Sequence, residues 1–353
     1  MTAVILVGGE GTRLRPLTLK CPKNVVPLAG RPFLHLPLEL LRRHGIRDVV
    51  LAIGYMPAMI KKAVGDGKRL GLRVQYVTER EPLGTGGAIR NARRLIHGPA
   101  VVLNGDVLTD LDLSKVIHEH RARKAVATIV LTRVEDPSAY GLVDIAKDGR
   151  VRRFMEKPSA DEIKRTGLDT VNAGTYVLEP SAIDMIPPGV NHSVERGLFP
   201  RLVQQGAPIF AYVSDAYWLD IGTPEKYRQA HGDILHGKVR FEPGPRKKGN
   251  LWLGARLRLH PGAVLEGPLV IGDGTRIDAD AQIGSLTAIG RNCRIGARAE
   301  ISGSVLWDGV VIGEGAHVKD AILGHGCHIG DHARISPGTV LGDDAFVPRH
   351  SRL

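Results

Sequence analysis

The sequence predicts an α/β domain on a mainly parallel sheet, followed by a parallel β-helix. Three observations carry this expectation. Short β-branched runs alternate with segments of helical period up to about residue 235; a Gly/Pro/basic stretch without periodicity, "HGKVRFEPGPRKKGN", spans 236–250; and an aliphatic residue then returns at every sixth position. We therefore expect a domain over 1–235, a linker over 236–250 and a repeat domain over 251–353. The 353 residues are ample for two cores.

In chain order, "AVILV", "DVVLAIG", "RVQYVT", "AVVLNGD" and "VATIVLTRV" read as strands. The segments between them, "PFLHLPLELLRRHG", "PAMIKKAVGDGKRLG", "GGAIRNARRLIHG" and "LSKVIHEHRARK", read as helices, the third beginning near Gly87. Strand and helix in alternation imply βαβ units, and such sheets bind ligands beyond the carboxyl ends of their strands. Past the linker, Leu253 opens a six-residue series that runs to Ile301, resumes after a five-residue step at Leu306, Ile312 and Val318, and after another runs from Leu323 to Val347. Glycine often follows the aliphatic residue, as in "IGDG" and "IGEG", where we expect it to permit the corner. The aliphatic residues would stack as an interior ladder.

Composition narrows the function. The first apolar run is too short for a signal segment, and no stretch approaches the roughly 18 apolar residues of a membrane span, so a soluble protein without a membrane partner is expected. Cys21, Cys293 and Cys327 are few, odd in number and without metal-type spacing, which suits packing in a reducing cytoplasm. A formal net charge of +11 favours anionic partners. Aromatic residues make up only 5% of the chain, which argues against stacking platforms for single-stranded nucleic acid, and "RKK" at 246–248 fits a solvated linker.

The strand "VILV" exits into "GGEGTRLRPLTLKCPK". Main-chain amides exposed in a glycine-rich turn form a concave anion site, yet neither common phosphate fingerprint fits, since there is no G-K-[ST] ending and no third glycine of the dinucleotide type. Arg13 and Lys23, spaced along one extended loop, could meet the two ends of a triphosphate. The same spacing also fits a tight turn with solvated cations.

This stretch resembles the signature of the sugar-1-phosphate nucleotidyltransferases, roughly G-G-x-G-T-R-L-x-P-L-T-x-x-x-P-K, at every fixed position. The resemblance continues through "EPLGTGGAI", "LNGDV", "FMEKP", "NAGTYVL", "SVERGLFP" and "YWLDIGTP" into the repeats, and is nearest to the mannose-1-phosphate guanylyltransferases among them. It implies a Rossmann-like nucleotidyltransferase domain and a left-handed β-helix used for assembly or regulation. It also implies transfer of a nucleoside monophosphate from an NTP to a sugar 1-phosphate, with release of pyrophosphate. By the resemblance Gly8, Gly9, Gly11 and Thr12 cradle the nucleotide, Arg13 holds the pyrophosphate end and Lys23 sits against the α-phosphate.

The attacking phosphate is already an anion, so the obstacle is charge, and a metal is expected beside the cations. Magnesium takes one or two carboxylates and completes its octahedron with water and phosphate oxygens. The resemblance assigns it to Asp106 and Asp220, each at the end of an apolar strand; alone, either would read as a turn former or helix cap.

A second loop, with Glu79, Pro82 and Gly84, is implied to read the base. A carboxylate at Glu79 only accepts hydrogen bonds, which matches the adjacent N1–H and N2 amino donors of guanine and mismatches uracil or thymine. Glu79 also fits a solvated charge paired with Arg80. Gly141, Glu156, Lys157 and Asn172 are implied to hold the sugar phosphate; without the motif Glu156 and Lys157 would be neighbouring surface charges and Asn172 a turn residue.

Other readings remain open at this point. Glucose 1-phosphate thymidylyl or uridylyl transfer shares the first loop. His317, His325, His328 and His332 in the last coils raise an acyltransferase or metal-binding function, and silent regulatory homologues exist in such families, although here Gly8, Gly9, Gly11, Thr12, Arg13 and Lys23 are all present. The final coil needs a cap or partner, so a homo-oligomer is expected.

Overall fold

A computed structural model describes all 353 residues. They divide into two compact units: Met1–Gly9 with Leu34–Trp218, and Glu10–Phe33 with Leu219–Leu353. The chain changes unit inside the glycine-rich loop, so most of that loop belongs with the C-terminal half.

The first unit is a nine-stranded mixed sheet with helices. Its elements include β1 (Thr2–Val7), α1 (His35–Arg43), β2 (Asp48–Ile53), α2 (Pro57–Val64), β3 (Arg73–Thr78), α3 (Gly84–Asn91), β4 (Ala100–Asn104) and α4 (Leu113–Ala122). They continue with β5 (Ala127–Arg133), β6 (Gly141–Ile145), β7 (Val151–Glu156), β8 (Thr170–Leu178) and β9 (Ile209–Val213). The strands run in the order β7-β6-β8-β4-β1-β2-β3, while β5 pairs with β8 and β9 with β5. The strands β4, β1, β2 and β3 are parallel, and the register Val7↔Ile53, Ile53↔Thr78 and Leu6↔Asn104 brings their carboxyl ends to one edge. Antiparallel β8 places Thr175 opposite Leu103, so Asn172 lies beyond the same edge. Val171↔Leu142 and Glu156↔Gly141 carry that alignment across β6 and β7. Ala3, Val4 and Ile5 are successive and all fully buried, as expected of a strand covered on both faces.

Two helices differ from expectation. The helix expected near Gly87 begins at Gly84 and tightens into a 3-10 turn at Arg93–Leu95. Its start is set by a tertiary contact: the carbonyl of His192 accepts from the amides of Gly86 and Gly87 at 2.7 and 3.1 Å. The second helix stops at Val64, because Gly65 and Gly67 both take positive φ, and Lys68–Leu70 forms a separate 3-10 turn.

The second unit holds a parallel β-helix of three sheets with seven, six and five strands. One coil takes 18 residues, Ile271 pairing with Ile289, and 17 where the five-residue step falls, Ile289 pairing with Leu306. The ladder is the core: Ile271, Ile283, Ile295 and Leu323 are fully buried. Leu259, in the first coil, is 38% exposed because no earlier coil covers it. The end of the expected linker is itself structured, since Arg246–Lys248 pairs antiparallel with Leu251–Leu253.

The glycine after each aliphatic residue does not make the corner, which corrects the sequence expectation. The left-handed corner lies two residues further on; in some coils a second glycine holds it, as at Gly274, Gly315 and Gly326, and in others Asp280, Asn292, Arg298, His332 and Asp344 occupy it with φ between 54 and 62°. The glycine is needed for close approach: a Cβ on Gly272 would come 2.6 Å from the Gly290 carbonyl carbon one coil on.

Outside the ladder, the seven-stranded face carries Val270, Ala288, Val305 and Ile322, all at most 4% exposed. The six-stranded face shows Arg258, Arg276 and Arg294 to solvent. Segment Glu10–Phe33 and α5 (Pro224–Leu235) contribute to the cover: a Cβ on Gly30 would lie 3.8 Å from Val270, and Arg228 pairs with Asp320 at 2.9 Å.

Candidate functional site

In the second unit the signature loop gathers its charges around Asp220. Thr12–Leu14 and Lys23–Val25 are 3-10 turns. The Thr18 hydroxyl donates to the Gly11 carbonyl at 2.7 Å, closing the loop between them. Lys23 is buried, its side chain 8% exposed, and its Nζ lies 3.8 Å from Asp220 Oδ1. Arg13 is exposed and its guanidinium stands 4.0 Å from Asp220 Oδ2. It closes on Gly222, where a Cβ would come 2.9 Å from its Nη2. A buried ammonium and an exposed guanidinium beside one carboxylate leave a net positive cluster of the kind that can receive phosphate.

In the first unit the remaining predicted residues follow the carboxyl edge of the sheet. Gly8 and Gly9 leave β1, Glu79 follows β3, and Asp106 stands two residues past β4. Glu79 does not spend its charge on Arg80: its Oε2 accepts the Leu83 amide at 3.0 Å, folding residues 79–83 into the start of α3. A Cβ on Gly8 would lie 3.8 Å from Glu79 Oε1, so the base loop and the first glycine are neighbours. Gly84, with φ +68°, opens α3, and the Pro82 carbonyl accepts from Asn191 at 2.8 Å.

Gly141 and Glu156 are paired across β6 and β7, and a Cβ on Gly141 would sit 2.7 Å from Glu156 Oε2. Lys157 is exposed, in a left-handed conformation, with its amide donating to the Tyr140 carbonyl at 3.2 Å. Asn172 serves the backbone as well, its Oδ1 accepting from the Gly174 amide at 3.0 Å.

Sequence reasoning missed the residue that ties these together, Glu195. It stands in a π-helical turn, Val194–Leu198, capped by Ser193. Glu195 Oε2 accepts from the Thr85 hydroxyl of α3 at 2.7 Å and from Ser193 at 2.6 Å. Its Oε1 accepts from Tyr176 at 3.2 Å, and the Tyr176 hydroxyl accepts from Asn172 Nδ2 at 2.8 Å. One carboxylate therefore links the helix behind the base loop to the residue expected to hold the sugar. Burial, and next the charge of Glu195, push the Glu156 carboxyl above the usual glutamate range, against Arg196 and Lys157. Burial and the same charge hold the Tyr176 phenol well above its ordinary value. The only signal for Glu195 was its place in "SVERGLFP"; its partners at 85 and 176 are too far along the chain for any spacing rule.

The cysteines are free and buried. Burial raises Cys21 and Cys293 to about 12 and Cys327 to about 11, so none is a ready nucleophile. No helix is long and apolar enough to cross a membrane.

The chain is similar to several known proteins. A family model described as "Nucleotidyl transferase" matches residues 2–237, and one described as "EIF2B subunit epsilon LbH domain" matches 248–353, so the coils are of the left-handed β-helix type. The mannose-1-phosphate guanyltransferase of Kluyveromyces lactis is 39% identical over 98% of this chain and 92% of its own. The mannose-1-phosphate guanylyltransferase of Mycobacterium tuberculosis is 45% identical over 70% of this chain and 67% of its own. A UTP–glucose-1-phosphate uridylyltransferase of Synechocystis is 35% identical over 68% and 65%. The solved structure of HddC from Yersinia pseudotuberculosis complexed with GMP-PN superimposes with a TM-score of 0.56 at 34% identity, covering 65% of this chain and 97% of that one.

Proposed function

The chain belongs to the nucleotidyl transferase family, and on that premise we propose that it transfers GMP from GTP to mannose 1-phosphate, releasing pyrophosphate. The observation that carries this reading is the cluster of buried Lys23 and exposed Arg13 on Asp220, inside a loop that matches the family signature throughout.

The mannose 1-phosphate oxygen attacks the α-phosphorus in line, and pyrophosphate departs from the opposite side. Lys23 offsets charge that grows at the α-phosphorus, and Arg13 steadies the leaving pyrophosphate. Gly8, Gly9, Gly11 and Thr12 line the nucleotide with main-chain donors. Glu79, which keeps acceptor capacity beyond its bond to Leu83, takes the two guanine donors, with Pro82 and Gly84 shaping the loop. Gly141, Glu156 and Asn172 meet the sugar hydroxyls, and Lys157 meets its phosphate.

Family members generally use a divalent metal. The carboxylate oxygens of Asp106 and Asp220 are the hard donors that magnesium takes. Bound there, magnesium would supply charge neutralisation for the phosphates.

We take 1–235 as the catalytic domain, 236–250 as the connection and 251–353 as the assembly domain. Exposed Phe346 and Leu353 near the last coil, 66% and 52% accessible, support homo-oligomerisation through it. The free thiols suit the cytoplasm.

A grid of four NTPs against mannose, glucose, N-acetylglucosamine and heptose 1-phosphates, read by pyrophosphate release, tests the reading. GTP with mannose 1-phosphate is expected to lead; UTP or dTTP with glucose 1-phosphate leading would favour the uridylyltransferase relative. Glu79→Gln keeps an acceptor for Leu83 but adds a donor, and is expected to move preference from GTP toward UTP or dTTP. An unchanged ratio removes Glu79 from base recognition.

A further inference from the structure

Within the second unit, one coil of the β-helix breaks its own rule. Ile271, Ile289, Leu306, Leu323 and Leu341 pair in register from coil to coil, and the next residue in each is Gly272, Gly290, Trp307, Gly324 and Gly342. A column of glycines therefore admits one tryptophan. Trp307 is the bulkiest fully buried side chain of the protein.

Its Nε1–H donates to the hydroxyl of Tyr227 at 3.0 Å, and the Tyr227 hydroxyl donates in turn to the carbonyl of Pro27. The ring geometry holds the pair in place. Tyr227 meets His231 edge to face at 4.8 Å, and Trp307 meets His325 likewise at 4.8 Å. Tyr227 is fully buried and lies on α5, seven residues after Asp220; Pro27 lies four residues after Lys23. An indole N–H can only donate, so it fixes which way the phenol points and commits the phenol proton to Pro27. Other bonds brace the same segment: Lys20 to Asp344 at 2.9 Å, and the Ala29 amide to His231 at 3.4 Å.

We infer that Trp307 is a positioning residue for nucleotidyl transfer: through the Tyr227 hydroxyl it ties the turn carrying Lys23 to the helix that follows Asp220, and so sets the spacing of that cation and carboxylate. The β-helix thereby acts on turnover as well as on assembly. This inference rests on the proposed function.

The test uses the full-length protein and pyrophosphate release from GTP with mannose 1-phosphate. Trp307→Phe keeps an aromatic ring and removes the donor. It is expected to lower kcat about tenfold, the scale of one buried hydrogen bond left unmade, with both KM values within about twofold of the parent. Tyr227→Phe should show the same loss, and the double variant no more than either single change. In a Trp218→Phe/Trp252→Phe protein, where Trp307 is the sole indole, its emission should shift when GTP is added; this arm holds even if Trp307→Phe folds poorly. A Trp307→Phe enzyme with parental kcat, or Trp307 emission unmoved by saturating GTP, overturns the inference. If the parent itself makes no pyrophosphate from GTP and mannose 1-phosphate, the functional reading falls, and emission with the nucleotide it does use decides the role of Trp307.

Discussion

In the β-helix nearly every side-chain role is repeated one coil later, whereas along the carboxyl edge of the sheet each polar side chain has its own set of partners. Ile277, Ile295 and Ile312 are interchangeable rungs, each buried by the coils on either side. Glu195 has no equivalent: it joins Thr85, Ser193 and Tyr176 across more than a hundred residues of chain. Stability in a repeat is spread over neighbours, while a site concentrates several polar demands on single groups. Trp307 departs from the repeat and, unlike the rungs, spends its side chain on one specific partner, the Tyr227 hydroxyl.

This contrast can be broken in order of effect. Lys23→Ala should lower kcat by about 10²- to 10³-fold, the scale of removing one preorganised donor from developing charge, while the protein stays folded by circular dichroism. A fall under about tenfold would take Lys23 out of the chemistry. Glu195→Ala leaves the hydroxyls of Thr85, Ser193 and Tyr176 without their common acceptor. It should cost about 2–4 kcal/mol by urea unfolding and depress kcat/KM for the sugar phosphate more than for the nucleotide. Ile295→Ala should cost a similar amount, about 2–5 kcal/mol, and leave kcat/KM unchanged. Equal kinetic damage from both would erase the distinction between rung and site.

The pH dependence of the two units should run in opposite directions. Glu156 has a raised pKa from burial and from Glu195, so the unfolded chain releases its proton first. Its contribution is therefore present below the usual value of 4.5 and is lost as pH rises through the folded value. His231 is driven down to about 3 by burial; the unfolded chain takes up its proton near 6.5, so stability is lost as pH falls from 6.5 toward 3. Urea midpoints should show Glu156→Gln gaining on the parent as pH rises above about 4.5, and His231→Gln losing less than the parent between about pH 6.5 and 4. The reverse order for either would show its environment to be misassigned. The smallest effect belongs to Lys20→Met, which breaks an ion pair between two exposed side chains and should leave the urea midpoint where it is in the parent.

Much of the fold was legible from residue order. Alternating runs announced the βαβ body, and the six-residue period announced the coils with their 17-residue exceptions, because both signals come from neighbours in the chain. The start of α3 was placed late because the carbonyl that anchors it belongs to His192, more than a hundred residues away. The coil glycine was assigned the wrong role, because a local stretch of sequence displays its freedom of φ while the pressure on it comes from the next coil's backbone. Among the site residues, Arg13 and Lys23 stood out by their company in one loop. Glu195 and Trp307 did not, since their partners meet them only in the folded chain.

By itself the order of residues settled the class of both units, the ladder and the presence of a phosphate-binding loop, since each depends on periodicity or on groups within one short segment. Only the tertiary structure decided which unit that loop packs with, which carboxylate serves as the hub of the sheet edge and which tryptophan bonds the Tyr227 hydroxyl. Those choices depend on distances between residues remote in the chain, and such distances exist only once burial has brought the segments together.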